Sequence, residues 1–183
     1  MTAATGFLTG VIEGFYGRPW SHATRLAYAD YLVNLGLNSY LYCPKADPYL
    51  RKQWQLDWPA AQWAELGELA TAYAGKGVHF GIGLSPFALY KDYGPGSRVM
   101  LQNKIQKLNA LDAPLLAILF DDMPGAIADL AVRQAEIVAD VRAWSTAERL
   151  LVCPTYYSDD PVLATHFGAM PEGYWRQLGE SLD

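Results

Sequence analysis

The sequence predicts a parallel α/β fold of the (β/α)8 barrel type, of which residues 1–183 supply about the first five βα units as one incomplete domain. Three observations predict it. Apolar, β-prone runs alternate with helical patterns; the runs are near-continuous instead of alternating, as strands covered on both faces should be; and polar residues gather at the carboxyl ends of those runs. Alternating βα units imply a parallel sheet with helical crossovers. Each unit spans about 30–40 residues, close to the ~31 obtained by dividing a ~250-residue barrel by eight. The period alone does not separate a barrel from an open, doubly wound sheet. The placement of polar residues does, because a barrel brings every strand end to one rim, whereas an open sheet joins only those at its switch point.

In chain order, the five strand candidates are "GFLTGVIEGFYG" (6–17), "NSYLYCPK" (38–45), "VHFGIGLSP" (78–86), "LLAILFDD" (115–122) and "RLLVCPTYY" (149–157). Helices are expected over about 21–35, 60–76, 97–111 and 126–145, with a further helix at the end of the chain. Over 60–76, Trp63, Leu66, Leu69, Ala70 and Tyr73 recur at three- and four-residue steps and so share one face. The polar residues at strand ends are Glu13 and Tyr16, Lys45 and Asp47, Ser85, Asp121 with Asp122, and Tyr156 with Tyr157.

Composition narrows the function. With 51% hydrophobic and 18% charged residues the chain can bury a core of ordinary globular size. A formal net charge of -5 offers no basic field for a phosphate backbone, so nucleic acid is not an expected partner. No apolar run reaches the ~18 residues of a spanning helix, and the amino terminus lacks the basic start of a secretory signal. The expectation is a cytoplasmic chain without a membrane partner. Cys43 and Cys153 each precede a proline at the end of an apolar run and read as reduced core thiols on non-neighbouring strands. No closely spaced Cys/His group suggests a metal site, and no cofactor motif is present. His22, His79 and His166 are scattered, and Trp54, Trp58 and Trp63 read as packing residues.

The chemistry concentrates in "AILFDDMPG" (117–125). Neighbouring residues of an extended strand point to opposite faces, so Asp121 and Asp122 can share a pocket only if a turn begins between them; "MPG" supplies one. Two carboxyls in a partly dry pocket resist ionising together, and the pair is expected to split into a carboxylate and a group of raised pKa. Such a pair suits cleavage of a glycosidic bond. The plainer alternative is that Asp122 caps the next helix and Asp121 faces solvent. A metal-dependent hydrolase is a weaker third reading, for which no third ligand is evident.

Four stretches, "GVIEGFYGRPWS" (10–21), "LGLNSYLYCPKADPYLRKQW" (35–54), "AILFDDM" (117–123) and "LLVCPTYYSDDP" (150–161), with "YWRQLGESLD" (174–183) at the end, resemble in order the catalytic domain of glycoside hydrolase family eighty-four. These are β-N-acetylglucosaminidases, including protein O-GlcNAc hydrolases. The resemblance implies a retaining exo-enzyme that removes terminal β-linked N-acetylglucosamine from a glycan or glycoprotein through a cyclic oxazoline. By position it implies that Asp121 orients the substrate's 2-acetamido N–H and that Asp122 is the general acid and then base. It further implies that the Gly14 carbonyl and the Lys45 ammonium meet sugar hydroxyls, and that Tyr157, in preference to Tyr156, bonds near the acetamido oxygen. Glu13 receives no chemical role and is expected to support the rim by hydrogen bonding. Adjacent carboxylates are then reasonable, since the nucleophile belongs to the sugar.

The family pattern continues into a strand with a "WTG"-like motif and Asn, Trp and Asp residues for the ring hydroxyls, which residues 1–183 do not contain. The expected consequence is an open sheet with exposed edges: the residues are a piece of a longer product, truncated or separately encoded from its remainder, or pair with a second copy or another chain that completes the sheet, or, as the least expected outcome, do without the remaining strands. The alternative to an active domain is a catalytically inert fragment or assembly module.

Overall fold

The computed structural model describes residues 6–182. Five parallel strands form one sheet in chain order: β1 (Gly10–Glu13), β2 (Ser39–Tyr42), β3 (His79–Leu84), β4 (Leu115–Leu119) and β5 (Arg149–Cys153). Helices α1 (His22–Asn34), α2 (Ala60–Gly75), α3 (Pro95–Asn109) and α4 (Leu130–Trp144) make the crossovers, and α5 (Pro161–Phe167) and α6 (Tyr174–Leu182) follow β5. The strand order never reverses, so the sheet has no switch point, and it forms an arc of the barrel architecture. All five predicted strands and all four crossover helices are present.

Alternation along the strands separates two faces. Tyr40, Tyr42, Phe80, Ile82, Leu116 and Ile118 face the helices and belong to the main core. Leu41, Cys43 and Ala117 face the other way and form a separate small cluster backed by Leu119. That inner face is shaped by glycine. A Cβ on Gly83 would lie 2.5 Å from the Cys43 Cβ, so only glycine lets β2 and β3 pack with Cys43 between them. Toward the sheet edges the inner face is open, with Ile12 64% and Leu151 38% exposed.

The ends of the elements follow local chemistry. Ser21 caps α1 by accepting the Thr24 N–H at 3.1 Å, and Pro95 opens α3 at a position where its missing donor costs nothing. Helix α4 starts four residues later than the expected 126. In the intervening segment Gly125 donates to the Phe167 carbonyl at 2.7 Å, and Pro124 accepts from Tyr90, which holds the backbone out of helical form. Helix α5 is not among the helices expected from the sequence, although Asp160 and Pro161 are an N-cap and first-turn pair, with Asp160 accepting the Val162 N–H at 2.9 Å.

Glu13 corrects the rim assignment. It is fully buried on the helix side of β1, where it takes two 2.8 Å hydrogen bonds from Arg25 of α1 and a third from the Tyr40 hydroxyl. It is a core ion pair that fastens α1 to the sheet. Both cysteines are free, as expected. Burial pushes the Cys43 thiol up to about 12 and the Cys153 thiol to about 11. Trp54 and Trp58 are buried packing residues. Among the described residues, no helix is long and apolar enough to cross a membrane.

Lys104 of α3 is also buried, with its ammonium 3.6 Å from the Trp58 ring centre and donating to the Leu56 carbonyl at 2.8 Å. It fastens the loop after β2 to the helix layer. Burial lowers its pKa to about 8, against the opposing pull of Asp57 and Asp47. An unfolded lysine keeps its proton to about 10.4, so from about pH 8 upward the unfolded chain binds more protons and this group adds stability as pH rises. The buried thiols act in the opposite sense, so the effect is read as a difference. Urea denaturation should show the parent gaining stability relative to Lys104→Met between about pH 8 and pH 10; a constant difference would contradict the assignment.

Candidate active site

The site forms where β2 and β4 end, on either side of β3. The Lys45 ammonium, two residues past the Cys43 position that packs on the inner face, reaches across to both carboxylates. It hydrogen-bonds Asp121 and lies 2.9 Å from Asp122 Oδ2. The same Asp122 oxygen accepts the Tyr16 hydroxyl at 2.6 Å. The Tyr16 ring, in the loop between β1 and α1, has the Lys45 Nζ and the Arg51 Cζ each 5.8 Å from its centre. Tyr16, Lys45, Asp121 and Asp122 are therefore one cluster drawn from three loops.

The backbone explains why adjacent Asp residues converge. Asp121 continues the inward phase of Ala117 and Leu119. Asp122 then takes a left-handed conformation, φ 57°, which turns its carboxylate toward the same ammonium. The turn required between the two residues is thus made at Asp122 itself. Just before it, Phe120 is braced from both sides. Its N–H donates to the Cys153 carbonyl and its own carbonyl accepts the Thr155 hydroxyl, both at 2.8 Å. Thr155 in turn accepts from Gln134 of α4 at 2.8 Å, and Tyr174 of α6 donates to Gln134. A buried polar chain from α4 and α6 thereby braces the strand end that carries the paired carboxylates.

Electrostatics correct one expectation. Burial works to raise the Asp122 pKa, but the Tyr16 and Lys45 hydrogen bonds and the charges of Lys45 and Arg51 hold it below the ordinary carboxylate range. Asp122 is not the raised member of a split pair in this state. Burial likewise opposes the Lys45 charge, and its bonds to Asp121 and Asp122 hold its pKa above the usual lysine value. Asp121 Oδ2 is occupied by Lys45, while Asp121 Oδ1 is buried and has no hydrogen-bond partner among the described residues. An unpaired buried acceptor is costly unless a donor arrives.

The remaining predicted residues fall in different places. Gly14 lies beside the cluster's inner side, where an added Cβ would meet only Ile12 at 3.4 Å and Cys43 at 3.6 Å. Crowding within the chain therefore does not require glycine there. Tyr157 is 49% exposed past β5 and, among the described residues, makes no hydrogen bond to the cluster. Tyr156 is buried and donates to the Gly168 carbonyl at 2.8 Å, so it is committed to the core. Asp47 and Ser85 leave the rim as well. Asp47 caps a short turn and accepts from Tyr42 and Trp58, and Ser85 is buried. Among the described residues no group of three His, Cys, Asp or Glu side chains is arranged to hold a metal ion. Arg51 went unnoticed in the sequence; its motif "DPYLRKQW" gives no sign that its charge acts on Asp122.

A family model described as beta-N-acetylglucosaminidase matches residues 9–183. Protein O-GlcNAcase of Rattus norvegicus and that of Mus musculus are each 29% identical over 163 residues, 84% of this chain and 18% of theirs. The chain thus spans about a fifth of the length of these relatives. Among solved structures, a Thermobaculum terrenum O-GlcNAc hydrolase mutant superposes with a TM-score of 0.75 at 24% identity, covering 96% of this chain and 45% of that one. The protein CpGH84B gives 0.78 at 28% identity, covering 94% and 31%.

The left-handed backbone at Asp122 makes a prediction about which substitutions fold. Asn adopts this conformation readily, whereas a β-branched residue pays roughly 1–2 kcal/mol or more. In chemical denaturation Asp122→Asn should therefore be clearly more stable than Asp122→Val; equal stabilities would show that residue 122 is not held left-handed.

Proposed function

Because this chain belongs to the beta-N-acetylglucosaminidase family, we propose that it carries the reacting carboxylates of a retaining, substrate-assisted exo-β-N-acetylglucosaminidase acting on terminal N-acetylglucosamine of a glycan or glycoprotein. The observation that carries this reading is the pair of adjacent carboxylates with one buried oxygen, Asp121 Oδ1, lacking a donor. A 2-acetamido N–H is such a donor. Adjacent carboxylates that share one ammonium sit together instead of flanking a glycosidic bond, which supports a nucleophile supplied by the substrate.

In the first step the acetamido oxygen attacks the anomeric carbon as the bond to the leaving oxygen breaks. Asp122, protonated, gives its proton to that oxygen. Asp121 accepts the amide N–H and stabilises the positive charge of the resulting oxazolinium. In the second step Asp122, now a carboxylate, takes a proton from water as the water oxygen bonds to the anomeric carbon and the ring reopens to the amide. Two displacements leave the configuration retained.

The resting state holds Asp122 ionised, and the first step needs it protonated. Lys45 supplies the link: sugar hydroxyls compete for its ammonium, and drawing it off Asp122 raises that carboxyl's proton affinity. The acid is thereby armed by occupancy of the site. The Gly14 carbonyl and the exposed Tyr157 hydroxyl remain the proposed contacts to a sugar hydroxyl and to the acetamido oxygen. The acidic chain with two unbridged cysteines fits work in the cytoplasm.

A second reading rests on the open sheet. Strands β1 and β5 each have a neighbour on one side only, beside the exposed Ile12 and Leu151. On this reading the chain is an inert assembly module whose ligand is a polypeptide, or a second copy, that extends the sheet.

Hydrolysis of an aryl β-N-acetylglucosaminide by the 183-residue chain separates the two. The enzyme reading expects turnover, and a fall of roughly 10²–10⁴ in Asp122→Asn. The fall should be larger for an alkyl than for a nitrophenyl leaving group, since only the former needs its oxygen protonated. A folded chain that neither hydrolyses nor binds the sugar, yet binds a strand-bearing polypeptide, would favour the module.

A further inference from the structure

The catalytic reading leaves Arg51 without a part, although it is a charged neighbour of Asp122. Tyr16 poses the matching question. Its ring is 65% exposed on a surface loop, so core packing does not orient it, yet its hydroxyl makes a 2.6 Å bond to Asp122. What surrounds the ring is two cations, each 5.8 Å from its centre, within the range at which a cation is attracted to an aromatic face. Lys45 is already bound by both carboxylates. Arg51 forms no ion pair among the described residues, and its Nε is buried without a partner. The side chain is half-buried, and the contact it makes there is with the side chain of Tyr16.

We propose that Arg51 is a positioning residue for the proton-transferring carboxylate: held against the Tyr16 ring, it fixes the orientation in which the Tyr16 hydroxyl meets Asp122. The inference rests on the reading of Asp122 as acid and base. The backbone of Arg51 is suited to the task. It ends a short helical turn, donating to the Pro48 carbonyl at 3.1 Å, and the turn is capped by Asp47 through the Tyr49 N–H at 2.9 Å. Asp47 is itself gripped by the Tyr42 hydroxyl at 2.9 Å and the Trp58 indole at 3.0 Å. A rigid path therefore runs from the core face of β2 through Asp47 to Arg51, and from there through the Tyr16 ring to the carboxylate. The groups facing Asp122 are Tyr16, Lys45 and Arg51, with Asp121 adjacent in the chain. Lys45 and Arg51 both bring charge to Asp122 and both lie against the Tyr16 ring, but Lys45 is bound directly by the two carboxylates, whereas Arg51 reaches Asp122 by its charge and through the ring.

The test is a double-mutant cycle on the 183-residue chain, with the Asp carboxyl and Tyr ring carbons followed by NMR across a pH titration. Arg51→Met, which keeps a long apolar stem without the charge, should move the Asp122 titration to higher pH and speed the flipping of the Tyr16 ring. Arg51→Lys should recover much of both effects. In a Tyr16→Phe background the Arg51→Met shift should shrink, because part of it travels through the lost hydroxyl. An undiminished shift in that background, or a Tyr16 ring no freer in Arg51→Met, would overturn the positioning role. If Arg51→Met does not fold, Arg51→Gln, which also removes the charge, completes the same cycle. No sugar enters these experiments, so a failure of the glycosidase reading would appear in the hydrolysis assay and a failure of this proposal only here.

Discussion

One ammonium lets this site exist. Asp121 and Asp122 are consecutive and turned the same way, and two carboxylates so close repel unless a cation stands between them. Lys45 does so, bonding Asp121 and lying 2.9 Å from Asp122. Everything that brings Lys45 within reach is then a condition of the site: the parallel register that places the end of β2 across β3 from β4, the glycine at 83 that admits Cys43, and the polar chain from Tyr174 to Phe120. The helix-facing core fixes the strands, and the ion triad turns their ends into a site. Because the triad is only partly exposed, salt screens it less than it would a surface pair.

The same ammonium makes the resting site unreactive as an acid and ready to be changed. A carboxylate held down by a hydroxyl and two cations has no proton to give; on the proposed mechanism it regains one when a polyol takes over the Lys45 ammonium, which would couple its proton affinity to occupancy of the site.

The strands and crossover helices were legible because apolar runs and helical periodicity report burial, and burial is what the outer layer of a parallel sheet requires. The pairing of Asp121 with Asp122 was legible from "DDMPG", since a turn had to follow. What the residues alone did not show depends on direction. Glu13 and Lys45 both sit at strand ends, yet Glu13 points into the helix layer and Lys45 into the site, a difference of one residue in phase. The late start of α4 reflects tertiary hydrogen bonds to Gly125 and Pro124, which no local propensity encodes. Arg51 was invisible because its partner is a ring 35 positions earlier in the chain, counted from Tyr16. Two adjacent carboxyls suggested that one of them would be raised; that Asp122 is held low instead depends on Lys45, Arg51 and the Tyr16 hydroxyl, all distant from it in the chain.

The central claim is that the nucleophile belongs to the substrate. The measurement that tests it most directly is the rate at which the 183-residue chain hydrolyses aryl glycosides of N-acetyl-, N-fluoroacetyl- and N-difluoroacetylglucosamine. Each fluorine withdraws electrons from the acetamido oxygen, so the account predicts a stepwise fall in kcat/KM along the series. A rate indifferent to fluorination would contradict it and move the nucleophile to the protein or to water.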